Sequence, residues 1–194
     1  MTDREKDLSP DIYINISEVR KVQNASCKKD KKIRLVKVDR KNFDALIDLE
    51  VDESQKNYVA DNIYSLAEAY ATLADGKFVV PFGIYAGEAP VGFLMIGYDI
   101  DDCRDGVIPY FTVNSYLIWR FMIAKEHQKK GYGKEAMKLA LDYIRTLPAG
   151  PAEYCWLSYE PENEAAKKLY ASFGFTEVPE FYEEGDEMPA VIRL

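Results

Sequence analysis

The chain has 194 residues, 47% of them hydrophobic and 13% aromatic, enough for one domain with a substantial core. Its formal net charge of −8 argues against general nucleic-acid binding and leaves room for a cationic ligand. Three widely spaced cysteines (Cys27, Cys103, Cys155) and one histidine (His127), with no C-x-x-C pair, give neither a disulfide framework nor a metal site. No apolar run approaches the roughly 20 residues of a membrane span, and the charged N-terminus lacks the apolar core of a secretory signal. A reducing, cytoplasmic location is expected, with no membrane or nucleic-acid partner.

Residues 1–32 are dense in charge and read as a mobile N-terminal extension, in which alternating Ile12, Ile14 and Ile16 allow a short strand. A single domain is expected over 33–194. Its first strand is predicted at 33–38, and Asn42 is placed to cap a helix carrying Phe43, Leu46, Ile47 and Glu50. Ser65-Leu66-Ala67-Glu68 has the capping-box pattern, which predicts a second helix from there to Gly76. Strands follow at 78–86 and 89–98, joined at Gly87-Glu88, where a leading glycine suits a type II′ turn. Pro81 predicts an edge or a bulge in the first of them. Residues 99–113, with Asp99, Asp101, Asp102 and Asp105, read as a loop before a long apolar strand at 115–124.

Next comes Gln128-Lys129-Lys130-Gly131-Tyr132-Gly133, ahead of a helix whose Ala136, Met137, Ala140, Leu141 and Ile144 recur at helical spacing. A helix N-terminus offers unpaired N–H groups and about half a positive charge to an anion. Gly131 and Gly133 remove the Cβ obstacle to close approach, while Lys129, Lys130 and Lys134 add charge. Taken alone, such a loop is also a common solvated turn. The helix is expected to stop near Leu147, before Pro148, Gly150 and Pro151. A buried strand at 154–159 and a helix at 163–173, closed by Gly174, come next. Val191 to the C-terminus is expected to pair with 175–178. The alternation describes one mixed α/β domain.

Gln128, Gly131 and Gly133 resemble the acyl-CoA signature Q/R-x-x-G-x-G/A of the GNAT superfamily of N-acetyltransferases. Asn163, Tyr170, Gly174 and Phe175 resemble its second signature, in the correct order and with a strand between. The segment around Asn62-Ile63-Tyr64-Ser65-Leu66-Ala67 is similar to bacterial spermine/spermidine (diamine) acetyltransferases. The resemblance covers roughly 33–194 and implies a mainly antiparallel central sheet flanked by helices. It also implies acetyl-CoA as cosubstrate, a small-molecule amine as acceptor, direct attack in a ternary complex, and a homodimer.

On that resemblance the backbone of 128–133 holds the pyrophosphate and the main chain of Phe121, Met122 and Ile123 pairs with the pantetheine arm. Asn163 contacts that arm, and Tyr170 is the general acid. Without it, Tyr170 is a core residue with its hydroxyl at the rim, and Asn163 simply starts a helix. His127 is read as an exposed loop residue without chemistry, and Trp119 and Trp156 as strand packing.

An ammonium of pKa about 10.4 is only about one part in 10³ neutral at pH 7, so a base is needed. Some family members carry a glutamate where Leu117 stands here, which leaves Glu53, Asp99, Asp101 or a water relay. Glu53 and Glu68 are the expected contacts for a polyamine's distal charges. A protein or peptide amine, and a non-catalytic acyl-CoA-binding module, are the competing readings.

Overall fold

Among the residues that the computed structural model describes, 32–100 and 108–194, seven strands form one sheet. They are β1 (Ile33–Lys37), β2 (Phe78–Ala86), β3 (Ala89–Tyr98), β4 (Tyr116–Ile123), β5 (Tyr154–Tyr159), β6 (Thr176–Glu177) and β7 (Met188–Arg193), in the order β1-β2-β3-β4-β5-β7-β6. Every pairing is antiparallel except β4 with β5. The helices are α1 (Phe43–Ile47), α2 (Asn62–Ala74), α3 (Tyr132–Ile144) and α4 (Glu164–Ala171). The isoleucines expected to alternate at 12–16, and Asp101, Asp102 and Asp105, lie outside the described residues.

Side-chain alternation on the central strands divides the core in two. Phe93 and Met95 of β3 point to the face where Val79, Met122 and Ala69 of α2 are buried. Leu94 and Ile96 point to the other, against Val80, Phe82, Ile118 and the apolar stripe of α3. Each such side chain contributes about 1.5–3 kcal/mol by leaving water, which is why strands apolar at nearly every position sit between two helical layers. The connection after α3 is tied to the sheet by hydroxyls. Tyr116 accepts from the N–H groups of Ala149 (2.9 Å) and Gly150 (3.2 Å), and Tyr98 donates to the Pro151 carbonyl (2.9 Å).

Several local expectations are corrected. α2 begins three residues before the expected capping box. Asp61 caps it by accepting from the Tyr64 N–H (2.7 Å), and Ser65 turns its hydroxyl back to the Asp61 carbonyl (2.8 Å). α1 stops at Ile47 and never reaches Glu50. Asn42 makes no cap bond; its amide bridges the Asp39 N–H and the Lys37 carbonyl instead. Pro81 lies within the paired length of β2, opposite Met95, and the bulge falls at Ile84/Tyr85. The proline is tolerated because β1 pairing ends one residue away, at Lys37↔Phe82, so its missing N–H faces no strand partner. The last strand begins at Met188 and pairs along its length with β5, meeting β6 only at Val191 and Ala190. Phe111 and Thr112 are buried, so that part of the expected loop packs onto the sheet beside Leu117, Trp156 and Val178.

The parallel β4/β5 ladder is two residues long, Tyr116↔Cys155 and Leu117↔Trp156. Beyond Leu117 the strands part. Trp119 is the extra residue of a bulge, since Met95 opposes Arg120 while Ile96 opposes Ile118. From there to Ile123, β4 is paired only with β3 and presents an open edge toward β5.

Candidate active site

The parting of β4 and β5 opens a cavity of about 660 Å³, closed below by the start of α3 and on the side by α4. In the loop that leads into α3, Lys129 (φ +60°) and Gly131 (φ +82°) are left-handed. That geometry turns successive N–H groups the same way, as in an anion-binding nest. Among the described residues, no backbone N–H from Gln128 to Gly133 finds an acceptor; the next one, of Lys134, donates to the Gly131 carbonyl (3.1 Å). Such a run of unsatisfied donors at the N-terminus of a thirteen-residue helix fits a phosphate.

Gln128 fastens this loop to its surroundings. Its Nε2 donates to the Ile123 carbonyl (3.0 Å) and to Gln55 Oε1 (2.7 Å). The Ala124 N–H donates to Val91 on β3 (2.9 Å). By the two-residue period of a strand, Met122 therefore turns its main chain to β3, while Phe121 and Ile123 face the gap. All three line the cavity, with Gln128, Lys129, Gly131, Tyr132, Gly133, Asn163 and Tyr170. The Ile123 carbonyl is already taken by Gln128, which leaves its N–H and both main-chain groups of Phe121 to a ligand. Lys130 turns away, its Nζ on the Glu126 carbonyl (2.6 Å), and Lys134 is exposed on α3.

Asn163 is the N-cap of α4. Its Oδ1 accepts from the Ala166 N–H (3.1 Å), and its Nδ2 has no partner among the described residues. Tyr170, two turns on, is 7% exposed and lines the cavity, yet its hydroxyl has no hydrogen-bond partner among the described residues. Burial, and then the Glu187 carboxylate, push that hydroxyl well above the usual phenol range, so it is fully protonated at neutral pH.

The acidic residues expected to meet the acceptor are elsewhere. Glu53 is exposed and paired with Lys56 (2.7 Å). Glu68 is bound to Arg120 at 2.5 Å, with neither residue exposed. Asp99 holds a left-handed turn and accepts from the Asn114 N–H (2.7 Å), and Asp101 is not among the described residues. Neither Glu53, Glu68 nor Asp99 lines the cavity.

The carboxylate that does is Glu187, immediately before β7, whose Oε2 accepts from Ser158 Oγ on β5. It stands in the acidic stretch from Glu180 to Glu187, where nothing in the spacing separates it from a solvated run. His127, expected to be exposed, is half-buried against Tyr132 and lines the cavity. Trp119 also lines it and carries Arg120 over its ring at 5.6 Å, while Trp156 packs on Phe111 as expected. Among the described residues, no group of three or more His, Cys, Asp or Glu side chains could hold a metal ion.

Residues 43–175 match the acetyltransferase (GNAT) family, with strands β2 to β5, the loop and the α4 tyrosine inside the matched span. The chain belongs to that family and is an acetyl-CoA-dependent N-acetyltransferase. It is 30% identical over 140 residues, 69% of this chain and 81% of the relative, to the probable spermine N(1)-acetyltransferase of Bacillus subtilis subsp. natto (strain BEST195). It is 29% identical, with the same coverage, to the spermine/spermidine N(1)-acetyltransferase of Bacillus subtilis (strain 168). The fold is like that of spermidine N-acetyltransferase from Vibrio cholerae, solved with CoA and spermine, at a TM-score of 0.59 and 22% identity over 84% of this chain and 95% of that one.

Proposed function

We propose that this enzyme acetylates a primary amine of a polyamine such as spermidine or spermine, by direct attack in a ternary complex. The observation that carries the transfer chemistry is a single cavity in which the unsatisfied 128–133 N–H groups, the open edge of β4 and the unpartnered Tyr170 hydroxyl meet. Polyamine choice rests on the two relatives named for spermine, at 30% and 29% identity.

Bound acetyl-CoA supplies an electrophilic thioester carbonyl and a thiolate leaving group. In this reading the 128–133 backbone holds the pyrophosphate, and Phe121 and Ile123 line up the pantetheine arm as an added strand. Asn163 Nδ2 contacts the same arm. Tyr170 then donates its proton to the departing sulfur. On reference values, about 10 against about 8.5, that transfer runs uphill by about 2 kcal/mol, and the raised value of Tyr170 adds to it. The proton is therefore held until negative charge has developed on sulfur, as a general acid requires.

The test is thiol release from acetyl-CoA over spermine, spermidine, an aminoglycoside, amino acids and basic peptides. Turnover is expected to be highest with the polyamines. Turnover confined to the peptides would replace the acceptor class, and CoA binding with no turnover of any amine would leave a binding module. Tyr170→Phe is expected to lower kcat about 10²–10⁴-fold with acetyl-CoA affinity retained; an unchanged chemical step would remove the proposed acid.

A further inference from the structure

We propose that Glu187, oriented by Ser158, is the carboxylate that takes the proton from the acceptor ammonium. This rests on the amine-acetylation reading above and assigns the base that the sequence does not locate. Among the described residues Glu187 is the one carboxylate that lines the cavity. Its Oε2 is held by the Ser158 hydroxyl, which leaves Oε1 without a partner there. It acts electrostatically on Tyr170, and the two side chains come from different walls, the lead-in to β7 and α4. An acid and a base on separate walls of one cavity is the arrangement a transfer from sulfur to nitrogen requires.

The other carboxylates are occupied or remote. Glu68 is spent on Arg120, Glu53 on Lys56, and Asp99 on its turn, while Leu117 is buried among Phe111, Trp156 and Val178. Of the lining cations, Arg120 and Lys56 are paired with carboxylates from outside the cavity, while Lys129 belongs to the loop assigned to the pyrophosphate. The titratable groups acting with Glu187 are Tyr170 on α4 and Glu160 past the end of β5. Desolvation, then the neighbouring carboxylates of Glu187, Glu162 and Asp186, raise the Glu160 carboxyl from its ordinary value, so Glu187 stands on an acidic wall.

The proton balance closes. Glu187 takes one proton from the ammonium, and the freed nitrogen lone pair forms the N–C bond as the C–S bond breaks. The C–S electron pair goes to sulfur, which takes the Tyr170 proton. The nitrogen's second surplus proton restores Tyr170, and Glu187 releases its own to water, for a net loss of one proton per turnover.

The test is Glu187→Gln in the full chain, which keeps the size and a hydrogen bond to Ser158. At pH 7, kcat/KM for spermidine is expected to fall about 10²–10⁴-fold. It should recover about tenfold per pH unit toward the amine's own pKa, because only the already neutral amine then reacts. Acetyl-CoA affinity and Tm should not change, and calorimetric titration of spermidine into CoA-saturated protein should show weaker binding. Glu187→Asp, which keeps the charge, should retain most of the wild-type pH profile.

A glutamine variant within twofold of wild type at pH 7, or an aspartate variant as impaired as the glutamine one, overturns the assignment. Wild-type protein that turns over no amine overturns the polyamine reading instead. The spermidine titration then still decides whether Glu187 holds an ammonium.

Discussion

At Gly131 the backbone turns to φ +82°, and among the described residues no heavy atom beyond its chain neighbours lies within 4 Å of where a Cβ would stand. The demand there is torsional. Gly131→Ala is expected to cost about 1–2 kcal/mol, read as a lower Tm, and to weaken acetyl-CoA binding by re-aiming the loop. Gly133 has no left-handed torsion, and a Cβ would sit 3.7 Å from Ile123 Cγ1, an ordinary contact. Gly133→Ala is therefore expected to leave Tm unchanged or slightly raised, since alanine gains about 0.5–1 kcal/mol over glycine within a helix. Its acetyl-CoA Kd should still rise, because only a ligand pressed against the helix end would meet the new methyl. Thermal melts beside calorimetric titrations separate the two glycines.

Glu68 makes a different case at the same scale. Arg120 lines the cavity, its Nε is buried without a partner among the described residues, and Glu68 supplies the carboxylate that balances its charge. Glu68→Gln is expected to raise the KM of a polyamine while changing kcat less, by leaving an uncompensated cation beside the acceptor. Equal KM values at low salt would mean that this charge does not reach the acceptor.

Among the elements, α4 is eight residues long, too short to be stable by itself, and it carries Tyr170 behind its N-cap Asn163. Its existence depends on its cap and on the burial of Tyr170 against Tyr159 and Phe175. Asn163→Ala is expected to cost about 1 kcal/mol of stability and to weaken acetyl-CoA binding. Asn163→Ser restores the cap and hence the stability; a remaining loss of affinity would isolate the Nδ2 contact. Chemical denaturation followed by acetyl-CoA titration checks both halves. The bulge at Trp119 is the matching device on β4. By slipping one residue against β3, it carries the strand into the stretch whose far edge is left open.

Across the molecule, Glu177 joins three elements. Tyr159 of β5 donates to its Oε1 at 2.5 Å, and Lys167 of α4 lies 2.9 Å from the same oxygen. Tyr159, then Lys167, hold the Glu177 carboxyl below the usual carboxylate range. A carboxyl depressed in the folded state stabilises it at pH values above the unfolded value, about 4.3, and loses that contribution as pH falls through the lower folded value. Wild-type stability is thus expected to drop more steeply than that of Glu177→Gln as the pH is lowered below about 4.3. Parallel acid-denaturation curves would show that the network adds nothing.

The sequence by itself determined the elements and the donor loop, because both are local. Strand 78–86, strand 89–98 and their Gly87 turn follow from two continuous apolar runs and one glycine, and the phosphate-type loop from glycines placed at a helix start. Asn163 and Tyr170 stand on one short helix, so their spacing was also legible. Only the tertiary structure decided the acceptor side. Glu68 was withdrawn by an arginine fifty-two positions away, Asp99 by a turn, and Glu187 was brought to Ser158 across twenty-nine. A carboxylate's role depends on the charge and cavity that face it, and those arrive from strands whose pairing, above all β5 with β7, no local pattern encodes.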